Sequence, residues 1–205
     1  FLAVQAGDLF ELSRLLNLSI NVDMKDGDEN TPLILATANN NLAAMRLLLN
    51  AGASLDVRGN NGYTALNVAA FTGHCEAAAL LISWGANLEV RAQQVSGNFD
   101  GGRTPLWTAV IQANEDMVRL LIAAGADVNV KDRHGNSMFY HAVTFGHYNI
   151  IGLLMQGGAR FNERSPQGKL PIEEAQMRGR FDIVNLLRSD EFTVRNMDFS
   201  SQQPI

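Results

Sequence analysis

One cysteine, Cys75, occurs in 205 residues, which excludes an internal disulfide and any zinc site built on several cysteines. It reads as a small, half-buried hydrophobe. Cationic excess is missing too. Sixteen Lys and Arg stand against twenty-one Asp and Glu, a net charge of −5, whereas nucleic-acid binders carry a basic excess or patch. No nucleic-acid partner is expected. No run of 18 apolar residues occurs, because Gly, Asn, Asp or Arg interrupts every apolar stretch, so no membrane insertion is expected. Catalytic signatures are lacking as well: there is no HExxH, GxSxG, GxGxxG or P-loop. Gly168-Lys169 lacks both the upstream glycine and the following Ser or Thr of a P-loop. No catalytic residue, cofactor or metal ligand is therefore assigned.

What is present is repetition. Thr31-Pro32-Leu33, Thr64-Ala65-Leu66, Thr104-Pro105-Leu106, Ser137-Met138-Phe139 and Leu170-Pro171-Ile172 follow one another at intervals of 33, 40, 33 and 33 residues. A second marker keeps the same register: Asn50-Ala51-Gly52-Ala53, Ser83-Trp84-Gly85-Ala86, Ala123-Ala124-Gly125-Ala126 and Gln156-Gly157-Gly158-Ala159. One step back from Thr31, Ala3, Gly7, Leu12, Leu15 and Leu16 mark a truncated first repeat.

Each repeat reads as two short helices and a loop. Thr31 or Thr104 caps the first helix and Pro32 or Pro105 sits at its first position, where a missing N–H costs nothing. That helix is expected to stop after about a turn and a half, at Gly73, Gly146 or Gly179. The second helix carries an apolar stripe such as Met117, Val118, Leu120, Leu121 and Ile122. Alanines at 36, 69, 70, 109, 142 and 175 let neighbouring helices approach closely. One repeat alone cannot bury both faces, so the repeats must stack.

Asp132-Arg133-His134-Gly135 and Gly125-Ala126-Asp127-Val128-Asn129 resemble the unit of the ankyrin-repeat family over residues 1–188. The resemblance implies an all-α, ankyrin-type helix-loop-helix repeat solenoid with hairpin-like fingers and about six stacked repeats. Its repeats fall near 1–25, 26–58, 59–91, 92–131 with an insertion, 132–164 and a cap at 165–188, and a tail spans 189–205. The family's histidine is replaced by Ile34, Asn67, Trp107, Tyr140 and Glu173, so its hydrogen bonds between loops must be replaced by packing or other polar contacts. Glu173, Glu174, Gln176 and Arg180 read as a solvated terminal cap, and Asp26 with Asp28 and Glu115 with Asp116 as solvated surface. His74 and His147 occupy equivalent positions at the start of second helices, a structural role.

Family members bind proteins through their fingers and first helices. Carried over position by position, this implies contact residues Asn61, Tyr63, Phe71, Phe99, Arg103, Ile111, Gln112, Arg133, His134 and Phe145, centred on the third to fifth repeats. Exposed aromatic and arginine side chains are the usual anchors of such interfaces. The seven extra residues fall within 93–101 and are expected on the binding side. Asn129 ends the closest match to the finger sequence in which asparagine hydroxylation is known for such repeats, making it the modification candidate ahead of Asp23, Asp56, Glu89 and Asn162. The expectation is a non-enzymatic adaptor, inhibitor or targeting module, monomeric by itself, cytoplasmic or nuclear, or a secreted effector. The alternative is the substrate-recruiting arm of a larger enzyme.

Overall fold

The computed structural model describes residues 1–18, 20–92 and 103–189, except for the side chain of Asn61. It falls into two compact units, Phe1–Asp127 and Val128–Ile205. The first holds α1 (Leu2–Ala6), α2 (Leu9–Leu16), α3 (Pro32–Ala38), α4 (Leu42–Asn50), α5 (Ala65–Thr72), α6 (Cys75–Ser83), α7 (Pro105–Ile111) and α8 (Glu115–Ala123). The second holds α9 (Met138–Phe145), α10 (Tyr148–Gln156), α11 (Pro171–Met177) and α12 at 181–189. Among the described residues there is no strand, only the isolated bridges Ala92↔Arg103 and Lys131↔Ser137.

The caps follow the sequence. Thr31, Thr64, Thr104 and Ser137 each accept the N–H three residues on, which satisfies a donor the helix start leaves orphaned. The first helices are seven or eight residues long from α3 onward, about two turns rather than the expected turn and a half. Each is followed by a left-handed residue at one fixed register: Gly7, Asn40, Gly73, Ala113, Gly146 and Gly179. Glycine takes this conformation without a steric penalty and asparagine tolerates it, but Ala113 at φ 56° carries a Cβ that clashes with its own backbone.

Packing joins first helix to first helix and second to second. In the first unit α3, α5 and α7 lie side by side, as do α4, α6 and α8, and in the second α9 packs on α11. Ala36, Ala69, Ala70, Ala109, Ala142 and Ala175 are wholly buried, as close helix approach requires. Within the stripe of α8, Met117, Val118 and Leu121 are buried, while Leu120 and Ile122 are half-buried.

Hydrogen bonds between repeats set the register. Asp23, Asp56 and Glu89 accept the backbone N–H of Ser54, Asn87 and Asp127 at 2.9, 3.1 and 2.9 Å, and in the second unit Asn129 accepts that of Arg160 at 2.8 Å. At the other end of the repeat, His74 Nε2 lies 3.1 Å from the Ala38 carbonyl and Arg180 Nη2 donates to the Thr144 carbonyl at 3.0 Å. Gly146 leaves room for that guanidinium, since a Cβ there would run into Arg180.

The positions of the missing family histidine are filled in different ways. Asn67 closes a capping box with Thr64 and donates to the Val90 carbonyl at 3.2 Å; Ile34 and Trp107 are buried. Tyr140 donates its hydroxyl to Glu174 at 3.0 Å, and Glu173 accepts the Leu170 N–H. Glu174 therefore departs from the expected solvated cap: it is only 7% exposed, held between Tyr140 and Arg178. A carboxylate so placed stays charged because both partners donate to it.

One hydrogen bond closes the base of every finger. The N–H of Asp26, Gly59, Ala92, Asp132 and Ser165 donates to the carbonyl of Asn30, Tyr63, Arg103, Asn136 and Lys169. Four residues separate donor from acceptor in four fingers, and eleven in the fourth. The seven additional residues thus enter between positions 92 and 103 and lie outside the described residues.

Replacing Ala113 with Gly removes the left-handed penalty, partly offset by the greater freedom of Gly in the unfolded chain, and should stabilise the protein by about 0.5–1 kcal/mol. Urea denaturation checks it: a midpoint that falls or stays put counts against the strain at Ala113.

Candidate protein interface

In the first unit, α5 begins beside the finger that carries Tyr63 and holds Phe71 in its last turn. Their ring centroids are 6.4 Å apart, and Phe71 remains 57% exposed. Such a tilted pair is favourable for two quadrupoles and holds Phe71 in place. Ile111 closes α7 half-buried and Gln112 follows it exposed. Arg103 is half-buried at the base of the fourth finger, bridged to Ala92. Asn61 lies in the 3-10 turn Asn60–Gly62 of the third finger, and Phe99 lies outside the described residues.

In the second unit, Phe145 is 50% exposed at the end of α9 and stacks on His141 (6.2 Å) and on His147 (5.8 Å). His141 is anchored in turn by Asp132, whose carboxylate lies 2.9 Å from Nε2 and is only 3% exposed. Asp132 also accepts the backbone N–H of His134 and both the backbone and side-chain N–H of Asn136, which folds the finger around it. Burial alone would raise the Asp132 carboxyl, but the hydrogen bonds from His141, Asn136 and His134 outweigh it and hold the group below the usual carboxylate range. Arg133 and His134 stand exposed at the tip, with Arg133 Nε 3.2 Å from His134 Nε2. Burial, reinforced by Arg180, pushes the His147 imidazole down, and its Nε2 is buried without a hydrogen-bond partner. His74 and His147 do start second helices, as N-cap residues of α6 and α10.

Asn129 is half-buried. Besides accepting from Arg160, its amide donates to the Gly158 carbonyl at 3.4 Å, so it bonds the following repeat with both ends of its carboxamide. Among the described residues no three His, Cys, Asp or Glu side chains gather to hold a metal. No described helix is long and apolar enough to cross a membrane.

Two features were not singled out from sequence. Lys25, Arg58, Arg91, Lys131 and Arg164 share one register at the finger base; Arg58 donates to the Arg91 carbonyl and Lys131 pairs with Glu163 at 2.8 Å, so these two tie their fingers to the next. Reading the repeats column by column exposes this run of cations. A groove of about 550 Å³ runs between the ends of α2 and α4, lined by Leu16, Ile20, Val22 and Leu47 with Ser13 and Asn50. No local motif marks it, because it forms where two helix ends leave space.

The Asp132 anchorage has a pH signature. Its folded value is lowered, so the stability it contributes is complete above about pH 4 and is lost as pH falls through the lowered value. Asp132→Asn should cost about 1–3 kcal/mol at neutral pH and flatten the loss of stability below about pH 4. Urea titrations of both proteins across that window provide the comparison; an unchanged acid slope would contradict the role of Asp132.

The family profile for ankyrin repeats (three copies) matches residues 1–92 and 90–165. Among solved structures, the crystal structure of EF0377, an ankyrin repeat protein, is similar with a TM-score of 0.79 and 22% identity, covering 91% of this chain and 94% of that one. No curated protein matches the sequence. Ankyrin repeats are modules of protein–protein interaction and are generally not catalytic. With four fifths of its length matched and the repeat register carried through both compact units, this chain belongs to the ankyrin-repeat family.

Proposed function

We propose that the chain is a non-enzymatic scaffold that binds protein partners through its finger tips and the ends of its first helices. One observation carries this reading: Phe71 and Phe145, equivalent save for one residue of register, stay 57% and 50% exposed although each is braced by aromatic or imidazole neighbours. Bracing without burial is what an interface anchor needs, because a side chain already ordered loses little entropy on binding. Tyr63, Phe71, Arg103, Ile111 and Gln112 make up the contact set of the first unit, with Asn61 and Phe99 assigned to it by repeat position. Arg133, His134 and Phe145 make up that of the second.

Tyr63→Ala with Phe71→Ser, Phe145→Ser alone, and the three combined should keep the fold by circular dichroism, and the triple variant should bind its partner more weakly by about 2 kcal/mol or more. Affinity purification with each folded variant is the measurement. Unaltered recovery of every partner by the triple variant would move the interface to the second helices or the tail.

We also propose Asn129 as the preferred hydroxylation acceptor, since it is an asparagine at the register where three other repeats carry a carboxylate. Mass spectrometry after coexpression with an asparaginyl hydroxylase should find added oxygen on Asn129. Modification of Asn162 alone would reverse the ranking.

A further inference from the structure

Residues 1–127 hold seven Lys and Arg against thirteen Asp and Glu, and the seven cations are kept away from the first-helix ends. Arg14, Arg46 and Arg119 lie on second helices, and Lys25, Arg58, Arg91 and Arg103 lie at finger bases. Ala38, Asn39, Phe71, Thr72, Ile111 and Gln112, at the ends of α3, α5 and α7, are all uncharged. Those three helices lie side by side, so these residues form one cation-free strip with Phe71 at its middle.

A chain of contacts joins this strip to the acidic tip of the second finger. Phe71 rests on Tyr63, whose carbonyl closes the third finger by accepting the Gly59 N–H. The third finger lies against the second: the Asn60 N–H donates to Asn30 Oδ1 at 3.3 Å, and a Cβ on Gly59 would run into Asn30 and touch the Glu29 carbonyl. Within the second finger the Asp26 carboxylate accepts the N–H of Asp28 and of Asn30, both at 2.9 Å, which fixes Asp28 and Glu29 at the tip. Asp28 is exposed, and among the described residues nothing donates to its carboxylate. The Glu29 side chain, 69% exposed, pairs with Lys25 at 3.2 Å, and an exposed ion pair of this kind gives way to an incoming cation at little cost.

We propose that the first unit holds a basic protein segment, one Arg or Lys lying over the exposed ring of Phe71 and further cations set against Asp28 and Glu29. This rests on the scaffold reading above and specifies its partner. A cation within about 6 Å of a ring centroid is drawn to the electron-rich face of the ring, and less entropy is lost when the ring is already fixed, as Tyr63 fixes Phe71. Charge complementarity selects against an acidic segment, which would meet Asp28 and Glu29 at the finger tip and the carboxylate excess of the whole unit.

The test pans a phage-displayed library of random short peptides on the full chain in low salt and measures synthetic copies of the enriched sequences by fluorescence anisotropy. Enriched peptides should be rich in Arg and Lys. Their affinity should fall at least about tenfold between about 50 and 300 mM NaCl, where screening shortens the reach of charge. Asp28→Lys with Glu29→Lys should weaken them at least about tenfold and flatten that salt dependence. Phe71→Leu keeps the position apolar but removes the ring and should weaken them about threefold, whereas Phe71→Trp should preserve or raise the affinity. Asp182→Lys, a charge reversal in the second unit, should leave them unchanged. The two Phe71 variants are scored alone if the doubly reversed one fails to fold by circular dichroism. Enrichment of acidic or neutral peptides, or no enrichment, overturns the inference and leaves the scaffold reading standing. Basic binding that Phe71→Leu or the charge reversal does not weaken also overturns it, since attraction to a negative chain as a whole would then suffice. If the chain alone sediments as a dimer at about 50 mM NaCl and the charge reversal returns it to a monomer, the face belongs to a second copy and the partner assignment falls. The scaffold reading fails separately, only if the triple aromatic variant still recovers every partner.

Discussion

Register between neighbouring repeats rests on one recurring hydrogen bond, from a backbone N–H just past each Gly-Ala to a side-chain oxygen of the repeat before it. Asp23, Asp56, Glu89 and Asn129 supply that oxygen. Hydrophobic burial drives the repeats together but is non-directional, so by itself it would allow one helix pair to slide along the next. A hydrogen bond to a fixed atom does not. The donor also lies where the chain leaves the second helix for the finger, so the same bond that sets the stacking aims the finger. The base hydrogen bond of each finger and the left-handed residue after each first helix repeat at the same spacing, including across the 40-residue interval.

Much of this was legible in the sequence because it depends on local chemistry. A Thr-Pro pair announces a helix start by the needs of its first N–H groups, and Gly73 and Gly146 announce its end by their conformational freedom. Alanines at the register of Ala36 announce close helix contact. The family assignment rested on these residues and holds. Asn40 and Ala113 show the limit: both take the left-handed conformation that glycine takes elsewhere, because the turn between packed helices imposes it whatever residue arrives there.

What was not legible depends on which groups from distant repeats meet. Glu174 reads as a surface charge, since nothing beside it in sequence tells that Tyr140, 34 residues earlier, will donate to it and bury it. Likewise Phe145 could be placed at a first-helix end from its register, but its position between two imidazoles could not. His141 and His147 flank it only because α9 closes through Gly146 and turns His147 back toward the helix. The tip of the fourth finger could be counted from the sequence, and the hydrogen bond from Ala92 to Arg103 explains why the count is harmless: the base closes as it does in shorter fingers, and loop length alone costs little.

A stack of this kind separates the residues that hold it from those free to bind. The load falls on buried alanines and leucines, on capping hydroxyls and on the side-chain oxygens between repeats, all committed to partners within the chain. The residue after the buried turn of each first helix is under less demand: at successive repeats it is Ala38, Phe71, Ile111, Thr144 and Met177, a wide change of size and polarity at a register that is exposed or half-buried throughout. Variation at this register, on a backbone held rigid by its neighbours, lets the exposed surface change without repacking the core. The braced aromatics at Phe71 and Phe145 are therefore best understood as additions to a frame that would stand without them.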